Sequence, residues 1–197
     1  MSPPACRRRA ALLVAAAIGF TAPVPVAIAG DVENPAATAA SPAAGGDAAA
    51  ALAAFDRATA ATWATLPLQF RVIAFADSVA GYGNVVPRPR AAFAPSDTLR
   101  LYFEPVGYTI LPAGDGFKAA LAVDVEIRSP GGLVLASAKD FAHLEWTGRN
   151  PMHEVYATLT LALPPNLRPG QYHLALTLRD EASANTSAAA LPFAIVD

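Results

Sequence analysis

From Pro67 onward, apolar and polar residues alternate with a period of two, the spacing that sends successive side chains to opposite faces of an extended strand. Between residues 119 and 128, Ala119, Leu121, Val123, Val125 and Ile127 take one face, while Asp124, Glu126 and Arg128 take the other. Leu99, Leu101 and Phe103 alternate with Arg100, Tyr102 and Glu104. Val155, Ala157, Leu159, Leu161 and Leu163 alternate with Tyr156, Thr158 and Thr160. Tyr172, Leu174, Leu176 and Leu178 oppose His173, Thr177 and Arg179. Residues 69–75, 133–139 and 189–196 add three less regular runs, for about seven predicted strands by this count of patterned segments.

Turn chemistry falls between these runs. Ser129-Pro130-Gly131-Gly132 predicts a tight hairpin, and Arg168-Pro169-Gly170 suits a type II turn in which Gly170 supplies the positive φ. Strands with one apolar and one polar face, joined by Pro/Gly turns, predict an all-β fold: an immunoglobulin-like antiparallel β-sandwich over residues 67–197. The long irregular stretch over residues 77–97, with Pro87, Pro89 and Pro95, reads as a proline-stiffened crossover between the two sheets.

Before Pro67 the period is helical. Leu52, Phe55, Thr59, Trp63 and Leu66 recur at three- and four-residue steps in an alanine-rich background, with Asp47 as N-cap, predicting a short amphipathic helix over residues 47–66. Residues 30–46 are Ala, Pro, Gly and Ser with almost nothing large to bury, the composition of a flexible tether. Residues 1–29 predict a cleavable signal peptide: Arg7, Arg8 and Arg9, an apolar run from Ala10 to Phe20, and a small-x-small site at Ala27-Ile28-Ala29. Pro23 and Pro25 argue against a retained spanning helix. The expectation is a periplasmic or secreted protein that meets the membrane only through its transient leader.

The one cysteine, Cys6, lies inside that leader, so the mature chain has no disulfide, thiolate ligand or cysteine nucleophile. A net charge of −2 and a pI near 5.9 provide no cationic field for nucleic acid.

The run Leu167-Arg168-Pro169-Gly170-Gln171-Tyr172-His173-Leu174, with Arg179-Asp180 and the closing Leu191-Pro192-Phe193-Ala194-Ile195, resembles the last two strands of many bacterial exported immunoglobulin-like or fibronectin-III-like domains. The segment from Tyr82-Gly83 through Phe93-Ala94-Pro95 to Glu104 resembles uncharacterised exported proteins of proteobacteria and planctomycetes. The resemblance covers most of the mature chain and implies fold and export. It also assigns Pro169, Gly170 and Tyr172 a structural role, a tyrosine corner whose hydroxyl bonds back to nearby backbone.

Catalytic signatures are missing. No Gly-x-Ser-x-Gly occurs, and His143, His153 and His173 lack metal-ligand spacing, so neither a metal nor another cofactor is expected. Asp124 and Glu126 share a wet strand face, the arrangement a hydrolase would need, but a solvated sheet face accounts for them. Tyr102 and Tyr156 point away from the leucine faces, and Tyr82, Tyr108 and Trp146 lie in or beside loops. These five aromatic residues are the candidate ligand-binding set, since exposed rings stack on sugars or anchor a partner. The features together favour a non-enzymatic envelope module that binds an unidentified protein or holds an assembly together. A module for envelope glycan or a small ligand is the alternative, and a glycan-acting hydrolase the third.

Overall fold

The computed structural model describes residues 45–197; the predicted signal peptide and all but the last two residues of the predicted tether lie outside them. The described residues hold one helix, α1 (Ala48–Trp63), and ten strands: β1 (Gln69–Gly81), β2 (Asn84–Pro87), β3 (Ala92–Phe93), β4 (Thr98–Val106), β5 (Leu111–Ala113), β6 (Gly116–Arg128), β7 (Val134–Gly148), β8 (Ala157–Ala162), β9 (Gly170–Asp180) and β10 (Thr186–Ile195). No helix among them is long and apolar enough to cross a membrane.

The strands form an all-β sandwich of two sheets. One runs β2-β1-β4-β8; the other runs β3-β10-β9-β6, with β7 along the far side of β6. The short β5 pairs with Gly116, Phe117 and Lys118 of β6, in line with β9, which covers the same side of β6 from Leu121 onward. Every pairing is antiparallel except that of β3, which runs parallel to β10. The stretch over residues 77–97 therefore does change sheets. It leaves the first sheet after β2 and reaches the second at β3, before β4 returns. Arg88 braces this passage: its guanidinium meets Asp77 at 3.5 Å and Asp97 at 3.8 Å and lies 4.3 Å from the centre of the Phe93 ring.

The core is what period-two patterning requires. Leu99, Leu101 and Phe103 of β4 and Leu159 and Leu161 of β8 face Leu121, Val123, Leu174, Leu176 and Leu178 of the opposite sheet, all buried. Phe75, Phe93 and Phe193 interlock edge to face with centroids 5.3 to 6.2 Å apart.

Three expectations need correction. The run over residues 133–139 is only the start of a 15-residue β7. Opposite Asp124 this strand bulges at Lys139, Asp140 and Phe141, breaking the alternation a pattern search needs. In α1 the predicted apolar stripe does not face the sandwich: Leu52 and Phe55 are exposed, and the helix meets the core through Trp63. Finally, the outward face of β4 is wet only at its Arg100 end, because Tyr102 and Glu104 are buried. Two register irregularities bend the β1–β2 ribbon, and its turn at Tyr82 and Gly83 folds back across that face.

Candidate functional site

The five candidate aromatic residues separate into two groups instead of converging on one concavity. Tyr82, Tyr102 and Tyr156 gather on the outer face of the β1-β4-β8 sheet. Tyr108 and Trp146 lie where the end of α1 meets the sandwich.

In the first group, Tyr102 stacks on Tyr156 with centroids 5.6 Å apart. Its hydroxyl donates to Glu104 Oε1 at 2.5 Å and accepts the Gly83 N–H at 2.8 Å. Burial, reinforced by the bond to the Glu104 carboxylate, pushes the Tyr102 phenol up to about 12. Tyr82 is half-buried in the folded-back turn, its hydroxyl accepting from Arg71 at 2.9 Å. Its pKa is also raised, chiefly by burial and against the pull of Arg71. Tyr156 alone among the three is well exposed. Most of this cluster's hydrogen-bonding capacity thus serves to fasten the β1–β2 ribbon to β4.

In the second group, Tyr108 is 1 % exposed, and burial raises its pKa. Its hydroxyl donates to the Met152 carbonyl at 2.6 Å, and its own carbonyl accepts from Trp63 Nε1 at 2.8 Å. Trp63 stands edge-on to Tyr108 at 5.1 Å and to His153 at 4.6 Å, while Trp146 stacks against Tyr108 at 6.0 Å. Trp146 is half-buried within β7, on its inward face, and not in a loop. A cleft of about 410 Å³ opens between α1 and the sandwich, walled by Trp63, Tyr108, Ile110, Phe117 and His153. Trp63 and His153 were missing from the candidate set. A helix pattern records that Trp63 needs a surface but not which one, and nothing near His153 in the chain marks it.

The carboxylates of β6 are engaged by arginine. Asp124 accepts two bonds from Arg179 at 3.0 Å and the Asp140 N–H at 2.8 Å. The Arg179 bonds are the main reason its pKa is lowered. Arg179 also bonds Asp140, which holds a positive φ of 51° at the β7 bulge, so this network pins the bulge. Glu126 pairs with Arg128 at 2.5 Å. His143 contacts Glu181 at 2.6 Å, and no grouping of three metal-ligating side chains occurs among the described residues. Tyr172 donates to the Arg168 carbonyl at 2.7 Å, bridging Pro169 and Gly170, where φ is 155°.

A second concavity lies on the side of the sandwich where both sheets end. Strand β8 closes one sheet and β7 the other, and a groove of about 130 Å³ separates them. Val125, Ile127, Ala136, Phe141, Leu161 and Pro164 line it. Leu133, Val134, Leu135 and Phe141 are exposed along or beside β7. Neither a family model nor a curated protein matches this chain.

Proposed function

We propose that this chain is an exported, non-enzymatic β-sandwich of immunoglobulin-like build that binds another protein by accepting a strand at the open side of the sandwich. The order β1-β4-β8 against β10-β9-β6-β7 supports the immunoglobulin-like reading, corresponding to strands A-B-E against G-F-C-C′. The leader-like residues 1–29 support export to the periplasm or beyond.

One observation carries the interaction reading: β8 bonds only β4, and its free edge borders an apolar groove shared with β7. In the four-stranded immunoglobulin sheet the D strand occupies that edge, and none of the described strands does so here. An unpaired row of backbone donors and acceptors beside apolar side chains is the geometry of strand addition, in which main-chain bonds supply affinity and alternate pockets supply selectivity. The exposed Leu133, Val134 and Leu135 widen the contact.

The mature chain's lack of cysteine makes the test direct. A photo-crosslinker attached through Ala162→Cys, at the groove, should capture a protein in the export compartment, whereas one attached through Glu181→Cys, at the far end of β9, should not. Ala162→Lys should abolish co-purification of the captured protein. Capture from position 181 alone, or from neither position, would rule strand addition out.

A further inference from the structure

The cleft between α1 and the sandwich lies apart from the β7–β8 groove, and its lining has a distinct chemical character. The two aromatic rings at its base direct their polar atoms inward: Trp63 Nε1 donates to the Tyr108 carbonyl, and the Tyr108 hydroxyl donates to the Met152 carbonyl. What they present to the cleft is apolar ring surface, continued by Leu66, Ile110 and Phe117. No lysine, arginine, aspartate or glutamate is among the lining residues. Beyond the two aromatic rings, the polar side chains of the cleft are Thr109, His153 and Asn185, so a charged ligand would exchange its hydration shell for a lining that carries no charged side chain, which disfavours its entry. The volume of about 410 Å³ falls in the range of about 300–1,000 Å³ typical of small-molecule sites.

One polar ring remains uncommitted. His153 is half-buried beside Trp63 and makes no hydrogen bond among the described residues. Burial lowers its pKa, against the opposing influence of Asp56, so near neutral pH the imidazole is uncharged and offers one donor and one acceptor. We infer that this cleft is a binding site for a small neutral molecule built on an apolar ring, with one hydroxyl or carbonyl group paired to His153. Ring stacking against Trp63 and Phe117 supplies the contact area, and His153 sets the orientation.

The test is a titration of the ¹⁵N-labelled protein with p-cresol, followed by NMR. The chain has two tryptophans, so the indole N–H of Trp63 is readily told apart from that of Trp146. Saturable shifts are expected at the Trp63 indole and the His153 ring, with signals from the β7–β8 groove unmoved. Ala64→Phe fills the cleft from the exposed position that caps the end of α1 and should abolish the shifts. His153→Phe keeps the ring but removes its nitrogens and should weaken binding about tenfold, the value of one hydrogen bond. It serves alone should Ala64→Phe disturb folding. The proposal is overturned by the absence of saturation in the wild-type protein, by unchanged affinity in a folded variant, or by benzoate or N-acetylglucosamine binding as tightly as p-cresol. None of these outcomes bears on strand addition at β8.

Discussion

Tyr102 and Glu104, two residues apart on one face of β4, are joined by a 2.5 Å hydrogen bond that the folded-back β1–β2 turn seals from solvent. The carboxylate depends on the phenol for this bond, and the Gly83 N–H depends on the same phenol oxygen. Tyr102→Phe leaves both without that partner while keeping the ring stacked on Tyr156. The expected loss is about 1–3 kcal/mol of unfolding free energy in urea, the cost of orphaning buried polar groups. A variant as stable as wild type would show that the ribbon is held by other contacts.

The same residue makes stability fall in alkali. Its folded pKa of about 12 lies above the unfolded tyrosine value of about 10, so the folded state holds the proton longer. The stabilisation is complete below about pH 10 and is lost as pH rises through 12. Denaturant midpoints recorded across that window should decline more steeply for wild type than for Tyr102→Phe. Parallel profiles would refute the assignment.

Asp180 contributes to the acid limb, as does Asp124. Burial alone would raise its pKa, but bonds from the Thr109 N–H at 2.8 Å and the Ala182 N–H at 2.9 Å outweigh this and lower it. A lowered folded pKa stabilises above the unfolded aspartate value of about 3.9 and loses that contribution as pH falls through the folded value. Asp180→Asn should therefore cost about 1–3 kcal/mol at neutral pH and show a flatter decline in acid. Equal stability of the two proteins at pH 7 would contradict this role.

Trp63 is the bolt between helix and sandwich. An isolated helix the length of α1 is marginal in water, so α1 depends on this contact for its persistence. Trp63→Ala should destabilise the protein by about 2 kcal/mol, below the 3–5 typical of fully buried tryptophan because this ring is half-exposed. Hydrogen exchange should show α1 amides losing protection while those of β4, β6 and β9 keep theirs. Retained protection in α1 would mean that other contacts hold it.

Gly107 sits at φ +73° where the chain turns beneath Pro67, and a Cβ there would lie 2.2 Å from the Pro67 carbonyl oxygen. Gly107→Ala therefore combines a disfavoured backbone conformation with a backbone clash. A loss above about 2 kcal/mol, read from thermal or urea unfolding, is expected. A neutral effect would show that this turn can relax.

The strands that carry the core were legible because a half-buried strand writes its environment into alternate residues. Leu121, Val123, Val125 and Ile127 announced an inward face, and they line one. What the alternation does not reveal has physical reasons. Strand β3 is two residues long, and β7 is predicted only as far as the bulge at Asp140, which resets the alternation. The candidate aromatic residues were recognisable as rings wanting a surface, yet Tyr108 found Trp63 through a contact spanning 45 residues, and Trp146 joins them by stacking on Tyr108.

Alternation along this chain was enough to establish two layers of strands with leucine and valine between them, because burial of one face acts on every second residue of a segment. Whether the opposite face meets water was decided by tertiary structure alone. A neighbouring segment can fold over it, as the Tyr82–Gly83 turn does over Tyr102 and Glu104, and such a long-range contact leaves no periodic trace in either partner. The cleft beside His153 and the open edge of β8 arise the same way: each is a space between elements, set by how they pack and not by the preference of any one of them.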